Sequence, residues 1–200
     1  MAVLVTRPAP DLTFAAVRPD GTIVEELRLS DALRGKYGLL VFYPLDFTFV
    51  CPSELIALDH RMEQLRERNV EVIAISIDSQ FTHHAWRSTP IEAGGIGPVR
   101  YTMAADVKHE LCRAYGVETD AGVALRATFL IDRQGIVRAQ LVNDLPLGRN
   151  MDEAVRLVDA LQFHEEHGEV CPAGWQRGQA AMEASSKGVA SYLRSHATKL

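Results

Sequence analysis

Apolar positions recur in two rhythms along the chain, one of strands and one of helices. Residues 38–43 (Gly-Leu-Leu-Val-Phe-Tyr) and 70–77 are short, nearly unbroken apolar runs. Runs of that length predict strands buried on both faces. Residues 13–17 and 22–27 flank Pro19-Asp20-Gly21, a turn sequence, and predict a hairpin. Residues 99–103 predict a further short strand. Residues 124–131 and 136–142 predict a pair around Asp132-Arg133-Gln134-Gly135. Helical spacing of Leu55, Leu58, Met62 and Leu65 predicts one helix over 52–68. Ser79 is placed to cap a helix through Ser88, and Gly116 to stop one over 109–115. Asn150 with Glu153 resembles a capping pair, opening a helix to about His164. Beyond Gly168 the pattern becomes an extended tail, with a short helix over 182–196. Strands alternating with helices predict an α/β protein whose central mixed sheet is covered on both faces.

Composition narrows the function classes. The chain has 200 residues, 47% of them hydrophobic and 24% charged. That suits one domain with a sizeable core plus appended structure. The formal net charge of −5 argues against nucleic acid, which favours a basic face. No apolar run approaches the roughly 20 residues of a membrane span. The apolar stretch at residues 2–5, broken by Arg7 and Pro8, is too short for a signal peptide. The expected location is the cytoplasm, with no membrane partner.

The three cysteines, Cys51, Cys112 and Cys171, form no C-x-x-C and no even-numbered disulfide framework. His109 with Cys112 and His164 with His167 are spaced to share helix faces. Neither has the second pair a structural metal site needs, so no metal is expected and solvated helix histidines are the better reading. Gly94-Gly95-Ile96-Gly97 follows no strand of dinucleotide-binding geometry, and no cofactor is expected.

Cys51 is the candidate centre. Pro52 follows it, and proline favours the first positions of a helix. Glu54 gives the first turn an acid. A thiol at a helix start faces unpaired N–H groups and the positive dipole end, which favour the thiolate, the nucleophilic form. Thr48, three residues upstream, has a hydroxyl able to bond sulfur or a substrate oxygen. Pro44 ends the strand and offers no N–H, so it can shield the thiol from water. Each also has a plainer reading, as a buried inert thiol, a polar loop residue and a strand terminator. Cys112 lies among Leu111, Ala114 and Tyr115 and is expected to be packing.

Pro44, Thr48 and Cys51 together form Pro-x-x-x-Thr-x-x-Cys, which resembles the active-site motif of the peroxiredoxins. The wider string FYPLDFTFVCPSE resembles their typical 2-Cys branch, which includes the alkyl hydroperoxide reductase C subunit. The likeness continues through DSQFTHHAW from Asp78, Arg126, VNDLPLGR from Val142 and EVCPAGW from Glu169.

That resemblance implies a thioredoxin-like fold with an N-terminal hairpin. A peroxiredoxin domain over 1–168 would be followed by a C-terminal arm over 169–200. It implies a peroxidase in which Cys51 is the peroxidatic thiol and Cys171, from the partner subunit, the resolving thiol. Pro44, Thr48 and Arg126 would complete the catalytic set, with Glu54 and Arg149 in support. Hydrogen peroxide and alkyl hydroperoxides would be the substrates. Thioredoxin or a dedicated disulfide reductase would donate electrons, and a homodimer would assemble into a decamer. A holdase-type chaperone and a protein thiol–disulfide relay are the alternatives. The glycine loop 94–97 and Tyr192-Leu193 resemble elements of peroxide-sensitive relatives, with Ile96 where leucine is usual and Leu193 in place of phenylalanine.

Overall fold

The computed structural model describes residues 3–199. Residues 1, 2 and 200 lie outside it, so the start of the apolar stretch at 2–5 and the last residue of the C-terminal arm fall outside the described residues. Two compact units divide the chain, with the boundary between Met151 and Asp152.

The first unit is built on seven strands: β1 (Thr13–Val17), β2 (Ile23–Arg28), β3 (Tyr37–Phe42), β4 (Val70–Ser76), β5 (Thr102–Ala105), β6 (Arg126–Ile131) and β7 (Val137–Asn143). Its helices are α1 (Leu29–Ala32), α2 (Cys51–Asp59), α3 (Met62–Glu67), α4 (Gln80–Ser88) and α5 (Glu110–Ala114). The strands form one mixed sheet in the order β2-β1-β5-β4-β3-β6-β7. β3, β4 and β5 run parallel, and the other pairings are antiparallel.

β3 and β4 sit at the centre, as their unbroken apolar runs require. Successive side chains of a strand point to opposite faces. Leu40, Phe42, Ile73, Ile75, Phe129 and Ile131 therefore share one face, in a core with Leu29 of α1 and with Leu111 and Cys112 of α5. The other face carries Tyr43 and Arg126 toward α4 and α2. The expected hairpin forms with Gly21 at φ +88°, a left-handed conformation that glycine adopts without steric cost. Gly116 at φ +65° follows α5 in the same way.

Several boundaries depart from the expected ones. The helix expected over 52–68 breaks in two. Arg61 N–H bonds back to the Leu58 carbonyl at 3.0 Å, a tightened final turn. Arg100 Nη2 takes the Asp59 carbonyl at 2.6 Å, where a continuous helix would use that oxygen within its own ladder. The strand expected over 99–103 lies at β5 instead. Val99 O is taken by Arg87 and Arg100 N by Asp59, so those backbone groups are already engaged. The short α1 was not anticipated; Asp11, distant in sequence, accepts from Ser30 N at its start.

The second unit contains α6 (Met151–His167) and α7 (Ser186–His196). Glu153 turns both carboxylate oxygens to Arg156, at 2.6 and 2.7 Å. The tail helix starts later than expected. Ser185 caps it by accepting from Gly188 N, while Met182 pairs its backbone with Val170. Among the described residues, no helix is long and apolar enough to cross a membrane.

Candidate active site

Cys51 is the first residue of α2, with Pro52 behind it, as the local sequence predicts. Its side chain is fully buried. The loop from Pro44 to Val50 delivers it from the end of β3. Arg126, the first residue of β6, reaches across the sheet and places Nη1 3.4 Å from Cys51 Sγ. The same Nη1 lies 2.8 Å from Glu54 Oε2, one helical turn beyond the cysteine. Arg126 Nε donates to Leu145 O at 2.6 Å, which fixes the guanidinium plane.

Arg149 closes the cluster from the other side of Glu54. Its backbone N and Nε donate to Glu54 Oε1 at 2.7 and 2.9 Å, and Nη2 to Oε2 at 3.0 Å. Its Nη1 is held by Ala127 O and Thr128 Oγ1. Burial by itself would push the Glu54 carboxyl up. The hydrogen bonds and charge of Arg149, with Arg126 adding, bring it below the usual value instead. Burial likewise works against the Arg126 charge, but the neighbouring Cys51 and Glu54 raise its pKa above the ordinary value. Two guanidiniums thus enclose one carboxylate. Of the two, Arg126 is the one that faces the sulfur.

Thr48 is half-buried and donates its hydroxyl hydrogen to Leu45 O at 2.8 Å. Its oxygen lone pairs stay available to accept. Pro44 is buried at the end of β3. In unit one the structure therefore brings Cys51, Arg126, Glu54 and Arg149 into one bonded cluster, beside the loop that carries Pro44 and Thr48.

Cys171 belongs to the second unit. It is a half-buried free thiol whose Sγ lies 3.5 Å from Ala160 O. Burial raises its pKa, and the nearby Arg156 partly opposes that. Cys112 is wholly buried within the core. Burial, then the Asp106 carboxylate, push its thiol far up, which keeps it protonated and inert. His164 and His167 are exposed on α6, as expected. His109 instead precedes α5 and faces Glu118 at 2.6 Å.

A second buried cluster, not foreseen from the sequence, lies under the active-site loop. Tyr43 donates to Asp46 Oδ1 at 2.6 Å, and His83 Nδ1 lies 2.8 Å from Asp46 Oδ2. All three side chains are buried. The available signal was the spacing of His83, Trp86 and Arg87, which places all three on the inward face of α4. A cleft of about 440 Å³, lined by Glu25, Glu26, Asp106 and Glu110 among others, lies elsewhere and includes none of the Cys51 cluster.

The chain is similar to known proteins over most of its length. The AhpC/TSA family matches residues 5–140, and the C-terminal domain of 1-Cys peroxiredoxin matches residues 160–195. The alkyl hydroperoxide reductase C of Helicobacter pylori (strain ATCC 700392 / 26695) is 48% identical over 198 residues, 99% of this chain and 100% of its own. Peroxiredoxin-2 of Cricetulus griseus is 51% identical over 191 residues, 95% of each chain. The crystal structure of the reduced 2-Cys peroxiredoxin of Plasmodium vivax superposes with a TM-score of 0.93 at 47% identity, covering 96% of this chain and 100% of that one. The seven-stranded sheet is accordingly a thioredoxin-like peroxiredoxin fold. On the extent of these matches, the chain belongs to the AhpC/TSA family and is a 2-Cys peroxiredoxin.

Proposed function

We propose that Cys51 carries out the thiol-dependent peroxidase reaction of this family on hydrogen peroxide and organic hydroperoxides. The observation that carries the assignment is the Arg126 contact with Cys51 Sγ at the start of α2. The thiolate attacks the terminal hydroperoxide oxygen. A sulfur–oxygen bond forms as the oxygen–oxygen bond breaks. The leaving alkoxide or hydroxide takes a proton, and Cys51 becomes a sulfenic acid. Arg126, with its fixed fork of donors, stabilises both the thiolate and the charge building on the departing oxygen. Thr48 accepts a hydrogen bond from the hydroperoxide O–H, while Pro44 keeps water from the thiol. Glu54 and Arg149 hold Arg126 in place.

Cys171 of the partner subunit then attacks the sulfenic sulfur, releasing water and forming an intersubunit disulfide. A dithiol donor, thioredoxin or a dedicated disulfide reductase, returns both thiols by exchange. On this assignment residues 1–168 are the peroxidase domain and 169–200 the arm that presents the resolving thiol. We assign the protein to the cytoplasm, as a homodimer that assembles into a decamer. The holdase and relay readings are not favoured; the missing C-x-x-C weakens the relay.

Peroxide consumption with a dithiol donor tests the assignment. Wild-type protein should turn over and Cys51→Ser should not. Persistence of turnover in that variant would remove Cys51 from the reaction.

A further inference from the structure

The loop between β3 and α2 is short, bears Pro44 and Thr48, and includes a backbone conformation that must be held. Phe47 sits at φ +52°, in the left-handed region that a bulky residue rarely adopts. Its ring is half exposed, resting 5.7 Å from Trp86 between centroids. Such a conformation persists only where its surroundings over-determine it. The residue just before it supplies the restraint.

Asp46 is tied down at three points. Its Oδ1 accepts from Tyr43 and its Oδ2 pairs with His83 Nδ1. Its backbone N donates to Asp78 Oδ2 at 2.9 Å, and Ser76 Oγ orients that carboxylate at 2.7 Å. His83 is fixed in turn, with Nε2 3.1 Å from Ala104 O in β5. A carbonyl only accepts, so Nε2 bears a hydrogen, and Nδ1 and the Asp46 carboxyl share another proton between them. The loop is thereby anchored to β3, β4, α4 and β5, through Tyr43, Asp46, Ser76 and His83, which are buried, and Asp78, which is half-buried. Breaking one partner of such a buried polar pair leaves the other unsatisfied, so the anchor releases as a unit.

We propose that the Tyr43–Asp46–His83 network is a clasp that holds the active-site loop closed over Cys51, and that its strength divides the enzyme between peroxide attack and disulfide formation. None of the three residues is bonded to Cys51, so they act as positioning residues, through Thr48 and the loop backbone. Closed, the loop keeps Thr48 aligned for peroxide, and a misplacement of about 1 Å can cost on the order of a hundredfold in rate. Released, the loop lets α2 open its first turn so that the buried Cys51 sulfur can leave its site and meet a second thiol. The clasp therefore favours the first step at the expense of the second. This inference rests on the roles proposed for Cys51 and Cys171.

Single-turnover stopped-flow fluorescence, with Trp86 beside the loop as reporter, separates the two steps. Pre-reduced protein is mixed with hydrogen peroxide, and disulfide is quantified in parallel by quenched non-reducing gels. Asp46→Asn should slow the attack phase by roughly tenfold or more, the scale of a sub-ångström misplacement. Disulfide formation should become faster, and the fraction of Cys51 trapped as sulfinic acid should fall. Tyr43→Phe removes one hydrogen bond and keeps the ring, so it should fold normally and show a smaller change with the same two signs. Any result in which the two rates fail to move in opposite directions overturns the proposal. If Asp46→Asn does not fold, Tyr43→Phe decides by the same criterion. The wild-type control separates the two readings: absence of a disulfide phase there would overturn the Cys171 assignment, whereas a disulfide phase in the wild type with variant rates that do not move in opposite directions would overturn the clasp alone.

Discussion

Arg126 and Glu54 form a buried ion pair whose bridging nitrogen, Nη1, also contacts the Cys51 sulfur, at 2.8 Å on one side and 3.4 Å on the other. A buried guanidinium facing both a carboxylate and a thiol has little freedom to rotate, so its direction is set before substrate arrives.

Arg126→Lys keeps the positive charge and loses the fork. One ammonium cannot satisfy Leu145 O, Glu54 and the sulfur in the same geometry. We expect peroxide kcat/KM to fall by about 10²–10³, the usual result of removing one preorganised donor. Steady-state kinetics at fixed donor concentration would check this. A value within a few-fold of wild type would show that charge alone suffices.

Thr48→Val preserves shape and removes the hydroxyl that donates to Leu45 O. Losing a neutral hydrogen bond is worth about 0.5–1.5 kcal/mol, so kcat/KM should drop by roughly twofold to tenfold. Thr48→Ser should recover most of the activity. Equal loss in both variants would point to the methyl group rather than the hydroxyl.

Glu54 links the site to acid stability. Its pKa is lowered in the folded protein from an ordinary value of 4.5. A depressed carboxylate contributes stability that is complete above its unfolded pKa and is lost as pH falls through the folded one. Denaturant midpoints should therefore decline below about pH 4.5 in the wild type. In Glu54→Gln, less stable at neutral pH because two buried arginines lose their carboxylate, that decline should be shallower. Parallel pH profiles for the two proteins would exclude Glu54 as a contributor.

Peroxide treatment should yield a covalent dimer on non-reducing gels, and Cys171→Ser should yield none. Persistence of the dimer in that variant would place the disulfide elsewhere. For higher assembly, Thr82 shares a hydrogen bond with Ser79 in the first turn of α4, next to the exposed Phe81. A charge introduced as Thr82→Glu should reduce rings to dimers by light scattering. An unchanged mass would remove this segment from the ring contact.

The glycine loop should influence inactivation by substrate. Gly95 lies so close to the Thr89 carbonyl that a Cβ would overlap it, and Trp86 Nε1 holds Gly94 O at 2.9 Å. Leu193 on α7 lacks the aromatic contacts of phenylalanine, worth roughly 0.5–1.5 kcal/mol beyond area. We expect intermediate sensitivity: loss of turnover at high peroxide, eased by ending the chain before Tyr192. Mass spectrometry of Cys51 sulfinic acid would check it. Equal yields with and without the tail would show that α7 does not govern the step.

Much of this protein is legible in its local chemistry. The apolar runs of β3 and β4, the Pro52 and Glu54 start of α2 behind Cys51, the Ser79 cap and the Gly116 stop depend on residues within one or two turns of each other. Those rules place the nucleophile at a helix start and predict a mixed sheet. Only the tertiary structure joins Cys51 to Arg126 and Glu54 to Arg149, across separations of 75 and 95 residues. It also breaks the helix at Asp59, because Arg100 competes for a carbonyl that helical periodicity assigns to the ladder. His83 shows the limit most plainly. Its position on α4 marks the inward face, but a buried histidine is stable there because Asp46, from a loop 37 residues earlier, and Ala104 O of β5 partner its two ring nitrogens. Periodicity reports which side of an element is buried. Which buried polar groups meet depends on how elements distant in the chain are brought together.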